Sequence, residues 1–145
     1  MNRRIFGLIF IMIFITAEAF AEEALVMDSA FFKKFSSQSA MARDEYLEGF
    51  LNKLIIGRGK IVSVTEKGRY RKRFMVTIES SDSSKFNQKF LFYLFLDNRD
   101  TFDLLSAGSD FEFKGQFMGY TPLNTKRNSY IIDAVLMDAS TVIDK

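Results

Sequence analysis

A cluster of basic side chains around Tyr70 contains the residue types that could recognise a ligand. It includes one acid, Glu66, and its cations are Arg58, Lys60, Lys67, Arg69, Arg71, Lys72 and Arg73. Guanidinium and ammonium groups bind phosphate or carboxylate oxygens, and an aromatic ring offers a face for stacking. The cluster therefore indicates a surface for an anionic ligand, although a solvated basic turn is the simpler interpretation.

The chemistry that the sequence lacks narrows its function. The 145 residues include no His and no Cys, which excludes Ser-His-Asp and Cys-His nucleophiles and the usual zinc and haem ligands. Asp97, Asp100 and Asp103 lack the alternating spacing of a calcium loop and more simply cap a helix. Asp110 and Glu112 lie on the solvent side of a predicted strand. Neither carboxylate is therefore placed in the buried environment that acid–base catalysis needs. We expect a protein that is not an enzyme, with no catalytic residue, metal site or cofactor.

The first 21 residues have the pattern of a signal peptide. Residues 2–4 are basic, residues 5–15 are uncharged, and Ala19-Phe20-Ala21 fits a small-x-small cleavage site. The uncharged run is shorter than the about 20 residues of a membrane-spanning helix. We expect cleavage after Ala21, a periplasmic or secreted protein, and no stable membrane anchor after cleavage; an uncleaved anchor is the alternative.

Two short helices are predicted between the leader and the main body, in a segment covering residues 22–50. Asp28 or Ser29 caps the first, and Ser39 caps the second, which runs from residue 40 to about residue 49. The apolar face of the first helix consists of Phe31, Phe32 and Phe35.

From Lys53 onward, apolar residues recur with a period of two, as in strands. The predicted strands cover residues 54–65, 70–79, 88–97, 110–120 and 130–137. A short helix capped by Asn98 or Asp100 separates the third from the fourth and ends at Gly108. Gly57 and Gly59 indicate a bulge or a sharp coil in the first strand. Five short antiparallel strands favour a closed barrel over a sandwich, because closure removes exposed edges.

The predicted strands also identify a core. The fourth strand directs Phe111, Phe113 and Phe117 inward. The third strand is apolar on both faces, as in a strand covered on both sides. We expect the N-terminal helices to cover its second face, through Phe31, Phe35 or Leu47, because large apolar patches are uncommon on monomers. That second face consists of Leu91, Tyr93 and Phe95.

Two stretches of the chain resemble OB-fold domains. Residues 57–64 (Gly-Arg-Gly-Lys-Ile-Val-Ser-Val) match the coiled first strand, and residues 105–117 match a helix end, a glycine turn and the fourth strand. The resemblance covers about residues 50–138 and is closest to small exported domains called anticodon-binding-like. It implies a mainly β fold with flanking helices. The expected fold is a five-stranded OB-fold barrel over residues 51–140, with a helix between strands 3 and 4. An N-terminal helical segment precedes the barrel, and a tail over residues 141–145 follows it. An SH3-like barrel is the rival, but the helix at Phe102 argues against it.

OB folds bind ligands across their second and third strands, between the loops that follow strands one and four. The resemblance therefore implies that the basic cluster and the later loop form opposite lips of one groove, with Tyr70 and Tyr93 as stacking surfaces. The candidate ligand-binding residues are Lys60, Arg69, Tyr70, Arg71, Arg73, Tyr93, Lys126 and Arg127.

The favoured interpretation is a non-enzymatic binding module that recognises a protein or an anionic envelope component through this basic groove. The alternative is an exported protein that binds single-stranded nucleic acid, although the net charge of only +2 favours this less. A phosphodiesterase-like enzyme is the third interpretation, for which no motif is present.

Overall fold

The computed structural model describes residues 23–137, and the predicted leader (residues 1–21) and tail (residues 141–145) lie outside that part of the chain. The elements in chain order are β1 (Leu25–Val26), α1 (Ser29–Ser36), α2 (Ala40–Glu48), β2 (Leu54–Thr65), β3 (Phe74–Ser80), a 3₁₀ helix (Ser83–Phe86), β4 (Lys89–Leu96), α3 (Arg99–Leu104), β5 (Asp110–Pro122) and β6 (Ser129–Leu136). The longest α-helix among the described residues, α2, has 9 residues, whereas a helix that crosses a membrane needs about 20.

Five strands close into a barrel. Their order is β2, β3, β4, β6, β5, and β5 pairs again with β2. This confirms the predicted five-stranded OB-fold-like barrel, with a helix between its third and fourth strands and helices before the first. The expectation that every pair is antiparallel is wrong, because β6 returns between β4 and β5 and runs parallel to β4. The short strand β1, which the sequence did not predict, adds a parallel pair to β2.

Strand β2 belongs to both halves of the barrel, since its first half pairs with β5 and its second half with β3. Gly59 lies at the crossover, opposite Phe111 on one side and Ser80 on the other. A Cβ atom at residue 59 would collide with the carbonyl oxygen of Glu79, so the strands approach this closely only because the residue is glycine. The predicted coil of this strand is confirmed.

Aromatic rings fill the barrel. The predicted core residues Phe111, Phe113 and Phe117 are buried. Phe113 meets Phe92 of β4 with ring centroids 5.1 Å apart in an edge-on arrangement, the geometry that aromatic pairs prefer.

Helix α3 covers one end of the barrel. The Asn98 side chain accepts a hydrogen bond from the Thr101 amide and caps the helix. Phe102 stacks on Phe74 of β3 with centroids 4.3 Å apart. The helix ends at Leu104, before the predicted terminator Gly108, whose φ of 90° belongs to the turn that follows.

Helices α1 and α2 lie at the opposite end, where β4 begins. Asp28 caps α1 and Ser39 caps α2. The Phe35 ring lies 5.3 Å from Phe90 of β4 and 5.6 Å from Tyr130 of β6. The first helix therefore packs on the last strand.

The expectation that these helices cover Leu91, Tyr93 and Phe95 is wrong. The Phe31 and Phe35 rings contact Phe90, whose side chain lies on the other face of β4 because alternate residues of a strand point in opposite directions. The cover over Tyr93 and Phe95 comes instead from the loop between β2 and β3.

Candidate ligand-binding face

The β2–β3 loop, residues 66–73, turns back onto the barrel. Strand β3 begins at Phe74, so the prediction that it begins at Tyr70 is wrong. Tyr70 and Arg71 have φ angles of 57° and 61°, in the left-handed region, which is incompatible with an extended strand. Gly68 keeps the turn compact, because a Cβ atom there would collide with the carbonyl group of Lys72.

The turned-back loop places Arg69 over two rings of β4. The Arg69 guanidinium carbon lies 5.9 Å from the ring centroid of Tyr93 and 5.3 Å from that of Phe95, within the range of a cation–π contact. The Tyr70 ring packs against Phe95 with centroids 5.2 Å apart. Phe95 is consequently buried and Tyr93 is half-buried.

Asp133 of β6 anchors both loop residues. It lies beside Tyr93 in the β4–β6 pair and is 7% exposed. The Tyr70 hydroxyl donates to Asp133 Oδ2 at 2.7 Å, and Arg69 Nη1 lies 3.5 Å from the same oxygen. Burial, followed by the hydrogen bond to Asp133, raises the pKa of Tyr70 to about 12, so its hydroxyl remains a donor at neutral pH.

Asp97, directly after β4, holds the other end of the loop. Its Oδ1 accepts the Arg73 amide at 2.7 Å, and its Oδ2 lies 3.3 Å from Lys72 Nζ. The Arg73 guanidinium lies over the Phe74 ring at 5.4 Å. The loop is thus tied at two points, while the exposed Arg71 has no hydrogen-bond or ion-pair partner for its side chain within residues 23–137.

The structure therefore brings three predicted ligand-binding residues into contact, namely Arg69, Tyr70 and Tyr93, and places Arg71 and Arg73 on the same loop. Lys60 lies apart from them. It is exposed on β2, opposite Glu79 of β3 and Asp110 of β5.

Lys126 and Arg127 lie at the other end of the face. The first residues of β4 and β6 pair there, four positions before Tyr93, or about 13 Å along the strand. Arg127 Nη1 pairs with Asp44 Oδ2 of α2 at 3.4 Å, and Arg43 donates to the Arg127 carbonyl at 3.0 Å. This loop is therefore tied to α2, away from Tyr93.

Sequence reasoning missed Asp133. In the predicted last strand, Ile132, Ala134 and Leu136 face one way, which leaves Asp133 on the outside as an ordinary polar residue. The available signal was its position between Ile131 and Val135, since an acid flanked by apolar residues on the outward side of a strand suggests a partner from another segment.

A second buried carboxylate, Asp82, lies near a cavity of about 490 Å³. Its side chain is 3% exposed and accepts from Arg58 Nε at 2.7 Å, Lys85 Nζ at 3.2 Å and Ser29 Oγ at 3.1 Å. The hydrogen bond from Arg58 is the main cause that lowers the pKa of Asp82 to about 2. This cluster joins α1, β2 and the 3₁₀ helix, and it engages one cation of the predicted basic cluster.

The acids near α3 serve local structure. Asp97 holds the β2–β3 loop, and Asp103 Oδ2 lies 3.6 Å from Arg99 Nε one turn earlier in the helix. Within residues 23–137, no three acidic side chains converge in a way that could hold a metal ion.

No protein-family model matches the chain, and no curated protein matches it. Among solved structures, the chain is similar to a "putative nucleic acid-binding lipoprotein" from Klebsiella pneumoniae subsp. pneumoniae MGH 78578, with a TM-score of 0.48 and 21% sequence identity over 79% of this chain and 92% of that chain. At this level of similarity, the fold assignment rests on the strand order and the closure between β2 and β5.

Proposed function

We propose that this protein is a non-enzymatic binding module, exported through its leader, that binds an acidic segment of a partner protein on the β2–β3 loop and the adjoining outer face of β4. The proposal includes that the chain is a member of the anticodon-binding-like group of OB domains. The acidic partner is one form of the protein or anionic envelope component that the sequence predicts.

The observation that carries the proposal is the position of the Arg69 guanidinium over Tyr93 and Phe95. It covers the rings that would otherwise stack with nucleobases, so this face presents cations rather than free aromatic surfaces. Leu91 and Ile131, paired neighbours that are each half-buried, add an aliphatic surface. Cations beside aliphatic side chains suit a peptide with both carboxylates and apolar residues.

Single-stranded nucleic acid is the second candidate, favoured by one specific observation. Tyr70 is 39% exposed and precedes Arg71, whose side chain has no hydrogen-bond or ion-pair partner among residues 23–137. One ring is therefore available for a base beside a cation for the phosphate. An exposed aromatic ring next to arginine is the arrangement that single-strand binders use.

The test is a titration of the protein with a peptide of alternating Glu and Leu and, separately, with an oligothymidylate, at low and high salt. We expect the peptide to bind, and Arg71→Ala with Arg73→Ala to weaken binding roughly tenfold, which corresponds to about 1.4 kcal/mol. The matched control, Lys33→Ala with Lys34→Ala, removes the same charge from exposed positions of α1, away from the loop and the outer face of β4, and should change affinity little.

The outcomes separate the candidates. Oligothymidylate binding that falls steeply with salt and is lost in the loop variant supports nucleic acid instead. Failure of both ligands to bind at low salt contradicts both functions. Equal weakening by the loop variant and by its control contradicts the assignment to this face.

A further inference from the structure

The surface beneath the tip of the β2–β3 loop has the composition of a cation site. One wall is the carboxylate of Asp133, whose side chain is 10% exposed. The floor consists of the rings of Tyr93 and Phe95, which lie next to it on β4. We propose that Asp133, Tyr93 and Phe95 form a binding site for a guanidinium group, which Arg69 of the same chain occupies as an internal ligand and which a guanidinium compound from solution can enter in its place.

The chemistry of the site selects a guanidinium. A planar guanidinium stacks on an aromatic face while its N–H groups donate to a carboxylate at the edge, whereas an ammonium is a compact, strongly hydrated charge that does not stack. A buried carboxylate left without its cation is strongly unfavourable. Whatever replaces Arg69 must therefore also be cationic, which excludes a purely apolar occupant.

Several features make Arg69 a displaceable occupant. Its side chain is 57% exposed, and its Nη1 lies 3.5 Å from Asp133 Oδ2, longer than a direct charge-assisted hydrogen bond. The Tyr70 hydroxyl keeps its own hydrogen bond to Asp133 Oδ2, so displacement requires only the Arg69 side chain to move away. Asp133 meanwhile keeps a fixed place in the β4–β6 pair.

The experiment vacates the site and then refills it. In Arg69→Ala, we expect N-ethylguanidinium to bind with millimolar affinity and to shift the NMR signals of the Tyr93 ring and the Asp133 amide. The unaltered protein should bind it at least tenfold more weakly, because its own Arg69 is present at a high effective concentration. Ethylammonium is the matched ligand control and should bind less tightly than N-ethylguanidinium.

Two further variants locate the site. Arg99→Ala removes another arginine that lies over a ring, at 5.5 Å from Phe74, and it should gain no such binding. Arg69→Ala combined with Asp133→Asn should lose the binding gained by Arg69→Ala. If Arg69→Ala does not fold, Arg69→Gln removes the positive charge from the site while keeping a side chain of similar reach.

The proposal is overturned if the folded Arg69 variants do not bind N-ethylguanidinium, or bind it no better than the unaltered protein does. Binding that persists after Asp133→Asn also overturns it. Because these measurements use neither peptide nor oligonucleotide, they do not depend on the outcome for Arg71 and Arg73.

Discussion

Two buried aspartates, Asp82 and Asp133, each join a loop to the barrel through an arginine. Asp82 is paired with Arg58 and Lys85, neither of which is a predicted ligand-binding residue. Asp133 holds Arg69 and Tyr70, two of the predicted ligand residues. Similar chemistry therefore has a structural role at one site and organises the candidate ligand face at the other.

Asp82 gives the protein a specific sensitivity to acid. Its pKa is lowered from 3.8 to about 2 in the folded protein, so the deprotonated form favours folding above pH 4 and this contribution is lost as the pH falls toward 2. The shift corresponds to about 2 kcal/mol of the free energy of unfolding. We expect Asp82→Asn to remove that part of the pH dependence when urea unfolding is measured between pH 5 and pH 2.

Glu79→Gln, at an exposed acid of β3, is the control and should leave the same acid limb unchanged. Parallel pH profiles for the unaltered protein and Asp82→Asn would contradict the role assigned to this carboxylate.

At the scale of elements, the coiled strand β2 determines how the barrel closes. It pairs with β5 and then with β3, and the change of partner takes place around Gly59. The β2–β3 loop starts from the second half of this strand, so the position of the candidate face depends on the crossover.

Gly59→Ala tests the crossover. The added methyl group meets the carbonyl oxygen of Glu79, which is backbone and cannot rotate away, so we expect the free energy of unfolding to fall by about 3 kcal/mol. Gly49→Ala is the matched control, since its added Cβ lies 3.4 Å from the nearest atom and its φ is −62°. Urea unfolding of both variants checks the difference, and equal stability of the two would refute the close approach.

The strands and helices were predictable because each depends on a local pattern. Phe111, Phe113 and Phe117 alternate with polar residues, and Asp28 and Ser39 are ordinary helix caps. These signals lie within a few residues of the feature that they predict.

The path of the β2–β3 loop was not predictable in the same way. The left-handed φ angles of Tyr70 and Arg71 occur in residues that rarely adopt them, and nothing nearby in the sequence demands them. They depend on contacts with Phe95 and Asp133, which are distant in the chain. The candidate site was therefore predicted as a set of cations, but not as the contact between Arg69, Tyr93 and Asp133.

At the scale of the whole molecule, the N-terminal helices are part of the core. Phe32 lies 4.9 Å from Phe90 between ring centroids, and the Tyr130 hydroxyl donates to Asp44 Oδ1 of α2 at 2.8 Å. The predicted boundary between a helical segment and a barrel beginning at residue 51 therefore crosses a continuous packed interior.

Removal of residues 1–50 tests that boundary. The shortened chain exposes Phe90 and Tyr130, both fully buried in the described structure, and loses several aromatic contacts that each contribute about 1 kcal/mol. We expect it to lack a cooperative unfolding transition, as measured by circular dichroism in urea, whereas a chain lacking only residues 1–21 should unfold cooperatively. A monomeric, cooperatively unfolding fragment from residue 51 onward would show that the barrel is an independent domain.

The contact between Phe35 and Tyr130 has a consequence for the order in which the molecule assembles. Because the earliest helix rests on the final strand, and that strand lies between β4 and β5, native contacts join the two ends of the described chain. Contacts this distant in sequence form late and slow the folding reaction. A chain that is synthesised from its N-terminus therefore completes its native fold only after the last strand is available to pair.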